Sequence, residues 1–116
     1  MKMIEKVIYD YLNNLEEIAA PVYTEMPETF PGKMYLIEKT GDSRTNHVNT
    51  ATIVIRSYGG SLYEAMLMNE SIKDTMLSGL ISLDEIGGVK LNSDYNFTDT
   101  TTKRYRYQAV FVVTYY

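Results

Sequence analysis

The chain has one histidine, His47, and no cysteine, so nucleophilic or general-base chemistry would have to start from that imidazole or from carboxylates. His47 sits in the polar stretch 40–49, with no nucleophile-elbow serine and no thiol for it to activate. Paired carboxylates occur at Glu16-Glu17 and Asp84-Glu85. Neighbours on a helix do not face one another, which leaves Glu16-Glu17 badly placed to share a proton. Asp94-Tyr95-Asn96-Phe97-Thr98-Asp99 is as oxygen-rich as a calcium loop, but it lacks the glycine for the sharp turn and the bidentate glutamate at the far end. Gly59-Gly60-Ser61 precedes a helical pattern, yet matches neither of the glycine patterns that cradle phosphate. A cysteine-free chain with a single histidine excludes thiolate catalysis, disulfides, thiolate metal centres and multi-histidine metal sites. The prediction is a protein that is not an enzyme and carries no cofactor or metal.

What remains is chemistry of contact. Lys103-Arg104-Tyr105-Arg106-Tyr107 mixes cations with aromatic rings, the ingredients of a single-strand nucleic-acid platform. On a strand they separate: Arg104 and Arg106 share one face, while Tyr105 and Tyr107 share the face that continues into Phe111 and Val113. That predicts a solvated or interface-facing arginine pair, with nucleic-acid binding as the lesser alternative. Eleven tyrosines and no tryptophan point towards protein–protein contact, where an apolar ring with a polar tip is useful. Tyr115-Tyr116, directly after an apolar strand, would be a costly surface to leave uncovered. Met66, Met68 and Met76 are assigned to core or to an adaptable contact surface. The candidate interface residues are therefore Arg44, Asn46, His47, Arg104, Arg106, Tyr115 and Tyr116.

These residues need elements to position them. Ile4, Val7, Ile8, Tyr11, Leu12 and Leu15 recur at helical spacing, which predicts a first helix over 2–18, closed before Pro21. Residues 22–26 read as a short extended segment, and 27–32, with two prolines and a glycine, as a loop. Strands are predicted at 33–39 and 50–58, the second with Ala51, Ile53 and Ile55 facing one way and Thr50, Thr52, Arg56 and Tyr58 the other. Residues 40–49 between them read as a polar loop, longer than a tight hairpin requires and mobile until something docks on it. Ser61-Leu62-Tyr63-Glu64 is a capping box, with Glu64 reaching back to the Ser61 amide. It opens a second helix over 62–78, with Leu62, Ala65, Met66, Asn69, Ile72, Met76 and Leu80 on its stripe and Gly79 as a left-handed stop. Gly87-Gly88 reads as a turn, 89–91 as a short strand, and 92–94 and 98–100 as turn material.

The clearest strand is the last, where Tyr105, Tyr107, Ala109, Phe111, Val113 and Tyr115 alternate with Arg104, Arg106, Gln108, Val110, Val112 and Thr114. Its second half is apolar on both faces, so that half should be covered on two sides. The order α-β-β-β-α-β-β predicts an α+β fold: one domain spanning 1–116, a mostly antiparallel sheet, and two main helices on one face. The chain shows no repeat, linker or low-complexity segment. Its 116 residues carry a net charge of −4, which argues against a surface built to neutralise phosphates or anionic lipid. Residues 1–6 lack the apolar run of a secretory leader and no stretch is long enough to span a bilayer, so a cytoplasmic protein without membrane contact is expected.

The stretch Ser61-Leu62-Tyr63-Glu64-Ala65, then Ile72 to Leu80, then Leu91 to Thr100 and the closing Arg104-Tyr105-Arg106-Tyr107-Gln108-Ala109-Val110-Phe111 resembles the small tail terminator proteins of long-tailed bacteriophages and prophages, also called tail completion or tail-to-head joining proteins. The likeness extends over nearly the whole chain in length and element order. It implies a small α+β subunit that closes into a ring, commonly a hexamer. Such a ring caps the tail tube, meets the head connector protein, and lets DNA pass through its centre without sequence-specific binding. It also implies assembly in the host cytoplasm and a final place in the virion tail. A head-completion or tail-tube subunit of the same virion is the nearest alternative. The family has no catalytic residues to carry over. Six copies of −4 would total −24, which suits a channel through which a polyanion slides. A ring also needs two different patches that meet head to tail.

Overall fold

The computed structural model describes residues 3–15, 18, 20–98, 101–102 and 104–116. Helix α1, Ile4–Asn13, buries Ile4, Ile8 and Leu12, the 3.6-residue stripe read from the sequence. Strand β1 is Val22–Tyr23, β2 is Met34–Thr45 and β3 is Val48–Gly59. Helix α2, Leu62–Asp74, runs on into a π-helical turn, Thr75–Gly79, and a 3₁₀ turn, Leu80–Ser82; β4, Ile86–Asn96, and β5, Tyr105–Tyr115, follow. The strands form one sheet in the order β1-β2-β3-β5-β4. All neighbours are antiparallel except β1, which runs parallel to β2 through Val22 opposite Tyr35.

Both helices lie on one face of this sheet. Ile8 and Leu12 of α1 and Met68 and Ile72 of α2 share a single buried cluster with Ile37, Ile53, Ile55, Phe111 and Val113. The register explains the facing, since residues opposite one another across a ladder point the same way. Ile55 stands opposite Ile37 and Ala109, and Ile53 opposite Phe111. The fold is thus one α+β domain with the predicted element order.

Several boundaries differ from the sequence reading, each for a physical reason. Residues 40–49 are not a loop. Strands β2 and β3 continue through them to a two-residue turn at Asn46-His47, whose φ angles are +52° and +69°. Positive φ at both central residues is the type I′ geometry whose twist matches that of paired strands. A bulge between Lys39 and Gly41 marks where the ladder leaves the core. The resulting arm contributes to principal extents of 44 × 27 × 25 Å.

Helix α1 stops at Asn13 rather than 18, where the side-chain amides of Asn13 and Asn14 donate to the carbonyls of Tyr9 and Asp10. Glu16, Glu17 and Lys2 lie outside the described residues. Gly79 is not a left-handed stop, with φ −101°, and helical turns continue past it. Gly87-Gly88 is no turn and 89–91 no short strand. Strand β4 spans 86–96 with bulges at Ile86/Gly88 and Leu91/Ser93, so Asn92, Ser93 and Asp94 are strand residues. Asp99, Thr100 and Lys103 lie outside the described residues. Beyond β1, residues 24–26 of the expected extended segment are not strand.

Candidate functional site

Among the described residues, no group of three or more His, Asp or Glu side chains converges to hold a metal. His47 is exposed at the tip of the β2–β3 arm. The cleft between α1 and the π-helical turn, about 320 Å³, sets a single carboxylate, Asp74, beside the hydroxyls of Tyr11, Thr75 and Ser78. Tyr35 is fully buried and donates from its hydroxyl to the Met68 carbonyl at 3.2 Å. Burial pushes its pKa up to about 12, so it stays protonated and ties β2 to α2. Asp94 accepts from Lys73 at 2.7 Å and from Asn69 at 3.1 Å. The Asp94 hydrogen bond, followed by that to Glu70, raises the pKa of Lys73. These contacts fasten β4 to α2 through Asp94. No helix among the described residues is long and apolar enough to cross a membrane.

The seven candidate interface residues fall into two groups at opposite ends of the long strands. Arg44, Asn46 and His47 gather at the arm tip, and Asn49 beside them stands opposite Tyr115. The Arg44 guanidinium donates to the Asn49 side-chain carbonyl at 2.6 Å. Tyr116 is exposed, held by a bond from its amide to the Glu85 carbonyl at 2.9 Å. Tyr115 is a correction: it is 7% exposed and belongs to the core cluster beside Ile86, because it shares the facing of Phe111 and Val113. At the other end, Arg106 stands opposite Tyr58, ten strand residues and roughly 33 Å from the tip group.

Both arginines are engaged within the chain. The Arg104 guanidinium lies 4.7 Å from the Phe30 ring centroid. Arg106 lies 4.5 Å from the Phe97 ring and donates to the Phe97 carbonyl at 2.6 Å. Phe30 packs edge-on against Tyr58 at 6.0 Å. Together they hold the 24–33 loop over one end of the sheet, which is why Tyr58 and Met34 are buried on the face opposite the helices. Tyr105 and Tyr107 are half-buried, so that end offers no open stacking platform.

The remainder of that face has no helix over it. Its rows are Leu36, Arg56, Gln108 and Tyr95; Glu38, Val54, Val110 and Ser93; Thr52, Val112 and Lys90; and Ser43, Thr50 and Thr114. Val110 and Val112 stay half-exposed, so the two-sided cover expected for the apolar half of β5 is not supplied within the chain. The polar edges are pinned: Arg56 donates to Gln108 at 2.9 Å and reaches Glu38 at 3.5 Å.

A second uncovered apolar surface lies on α2. Its capping box is present, with the Ser61 hydroxyl accepting from the Glu64 amide at 3.1 Å. The Glu64 carboxylate accepts from the Gly60 amide at 2.6 Å, not from Ser61 as expected. The buried stripe is Ala65, Met68, Asn69 and Ile72, so Leu62 and Met66 are turned outward relative to the sequence reading. Leu62, Tyr63, Met66 and Leu67 are all exposed, Tyr63 at 66% and Leu67 at 50%. The first two turns of α2 thus carry apolar side chains on the outer side as well as the buried one, an exposed apolar patch beyond what packing on the sheet requires. The signal for this surface was in the sequence: Tyr63 and Leu67 fall outside the core stripe at i, i+4 spacing. No protein-family model matches the chain, and no curated protein matches it.

Proposed function

We propose that the protein is a phage or prophage virion structural subunit, a tail terminator that closes into a ring, caps the tail tube and presents a surface to the head connector. It works by shape and contact, without chemistry. The observation that carries this reading is the pair of unlike apolar surfaces on one small domain, the outer side of α2 and the uncovered half of the sheet. A sheet or helix face of that kind is stable when another element covers it. A chain with two different such faces is suited to joining copies of itself head to tail. DNA passes through the ring without specific contacts, a role supported by the net charge of −4 and by the engagement of Arg104 and Arg106 with aromatic rings.

Light scattering on a size-exclusion column, with and without tail-tube protein, tests the reading. A single closed oligomer that binds tube ends supports it, and a strict monomer that never engages a tube end overturns it. Long filaments formed by the protein alone would make it a tube subunit instead.

A further inference from the structure

We infer that copies of this chain join by seating the outer side of α2 of one copy on the uncovered half of the sheet of the next. The inference rests on the reading of the chain as a self-assembling subunit and names the two surfaces that meet. On the helix side Leu62, Tyr63, Met66 and Leu67 form a ridge of long side chains, exposed although apolar. On the sheet side Thr52, Val110, Val112 and Thr114 form a partly exposed β-branched floor across β3 and β5, around Val54, which is itself only 4% exposed. A long-chain ridge on a β-branched floor is how helices pack on sheets inside domains, and α2 already packs that way on the opposite face through Met68 and Ile72.

The charges match as well. Beside the ridge Asp74 is exposed, while Glu70 is already paired with Lys73 at 2.7 Å. Beside the floor Lys90 is exposed, opposite Val112 in register, while Arg56 is already engaged by Glu38 and Gln108. Asp74 beside the ridge can therefore meet Lys90 beside the floor, an opposite-charge pairing that ridge on ridge does not offer.

The direction of the ridge bears on closure. At about 100° per residue, the ridge residues of α2 centre roughly 140° from the direction in which Ala65, Met68, Asn69 and Ile72 point. A straight stack needs the two faces back to back. The ridge thus points roughly 40° away from the back-to-back direction, so copies joined this way do not form a straight stack.

The test uses Leu67→Lys on the ridge and Val112→Lys on the floor, both at solvent-accessible positions, with folding verified by circular dichroism. Tyr63→Lys and Thr114→Lys are the replacements if either fails to fold. Sedimentation velocity on the wild type should give the closed oligomer, and each variant alone should fall to monomer. An equimolar mixture of the two should give dimers and nothing larger. One intact ridge finds one intact floor, and the remaining pair sets lysine against lysine. Retention of the wild-type oligomer by either variant, or a mixture that stays monomeric, overturns this assignment of surfaces while leaving the ring reading standing. A wild type that is monomeric at every concentration and ignores tube ends overturns both.

Discussion

The hydroxyl of Tyr11 fills the space that a β-carbon on Gly79 would need. The contact joins α1 to the π-helical turn after α2, and it accounts for a glycine whose φ of −101° any residue could adopt. Gly79→Ala should cost about 1–2 kcal/mol by overpacking. Adding Tyr11→Phe should recover most of that loss in urea unfolding. An alanine variant as stable as wild type would show that Tyr11 moves aside without cost.

Gly59 meets a harder obstacle. A β-carbon there would stand 2.6 Å from the backbone nitrogen of Ala65, whereas one on Gly60 would meet only the Glu64 carboxylate at 3.2 Å. Backbone cannot swing away as a side chain can. Gly59→Ala should cost about 3 kcal/mol and Gly60→Ala less than about 1 kcal/mol, read as the difference between their denaturant midpoints.

His47 occupies a left-handed backbone position with φ +69°, where a β-carbon is unfavourable. His47→Gly should stabilise the fold by about 0.5–1 kcal/mol, and His47→Val should destabilise it by a similar amount. His47→Ala should leave folding and assembly intact. Thermal melts and sedimentation of the three variants check this.

Phe111 is fully buried at the centre of the sheet. Phe111→Ala should remove about 3–5 kcal/mol, a large part of what a domain of this size has. A loss below about 1 kcal/mol would invert the facing assigned to β5.

Tyr35 gives the alkaline limit. Its pKa is raised from 10.0 to about 12, so its stabilising contribution is complete below pH 10 and is lost as the pH rises through that window. The unfolded chain ionises first, and the loss amounts to about 3 kcal/mol at most. Tyr35→Phe removes the bond to the Met68 carbonyl at neutral pH. It should also flatten the decline in stability between pH 10 and 12 relative to wild type.

The elements that touch the core were legible in the sequence, and those that leave it were not. Strand β3 and the first half of β5 alternate apolar with polar residues because one face is buried, the second half of β5 stands out as an apolar run, and the stripe of α1 is legible for the same reason as β3. The outer half of β2 has no core to face, so 42–47 shows no alternation. Its turn is Asn-His in place of the Asn-Gly that usually announces such geometry. Strand β4 lies at an edge, where pairing with β5 overrides the turn propensity of Gly87-Gly88 and Asn92-Ser93-Asp94. The arginine pair was correctly set apart from the tyrosines. The rings of Phe30 and Phe97 that receive it come from distant loop and strand ends, a placement that spacing cannot supply. Tyr115 was misjudged because a strand's last residue was taken as uncovered while its facing made it core.

The bulges of β4 bear on strand-to-strand aggregation. An unbroken peripheral strand offers a template on which foreign strands zip up into fibres. Strand β4 breaks its ladder twice, at Ile86/Gly88 and at Leu91/Ser93, so no long in-register run is presented to a passing chain. On the opposite margin β2 is shielded by β1 at Tyr35 and Leu36 and kinked at Lys39/Gly41. Strand pairing at either margin is thereby limited to short runs, which disfavours amyloid-like growth, an addition without a natural end.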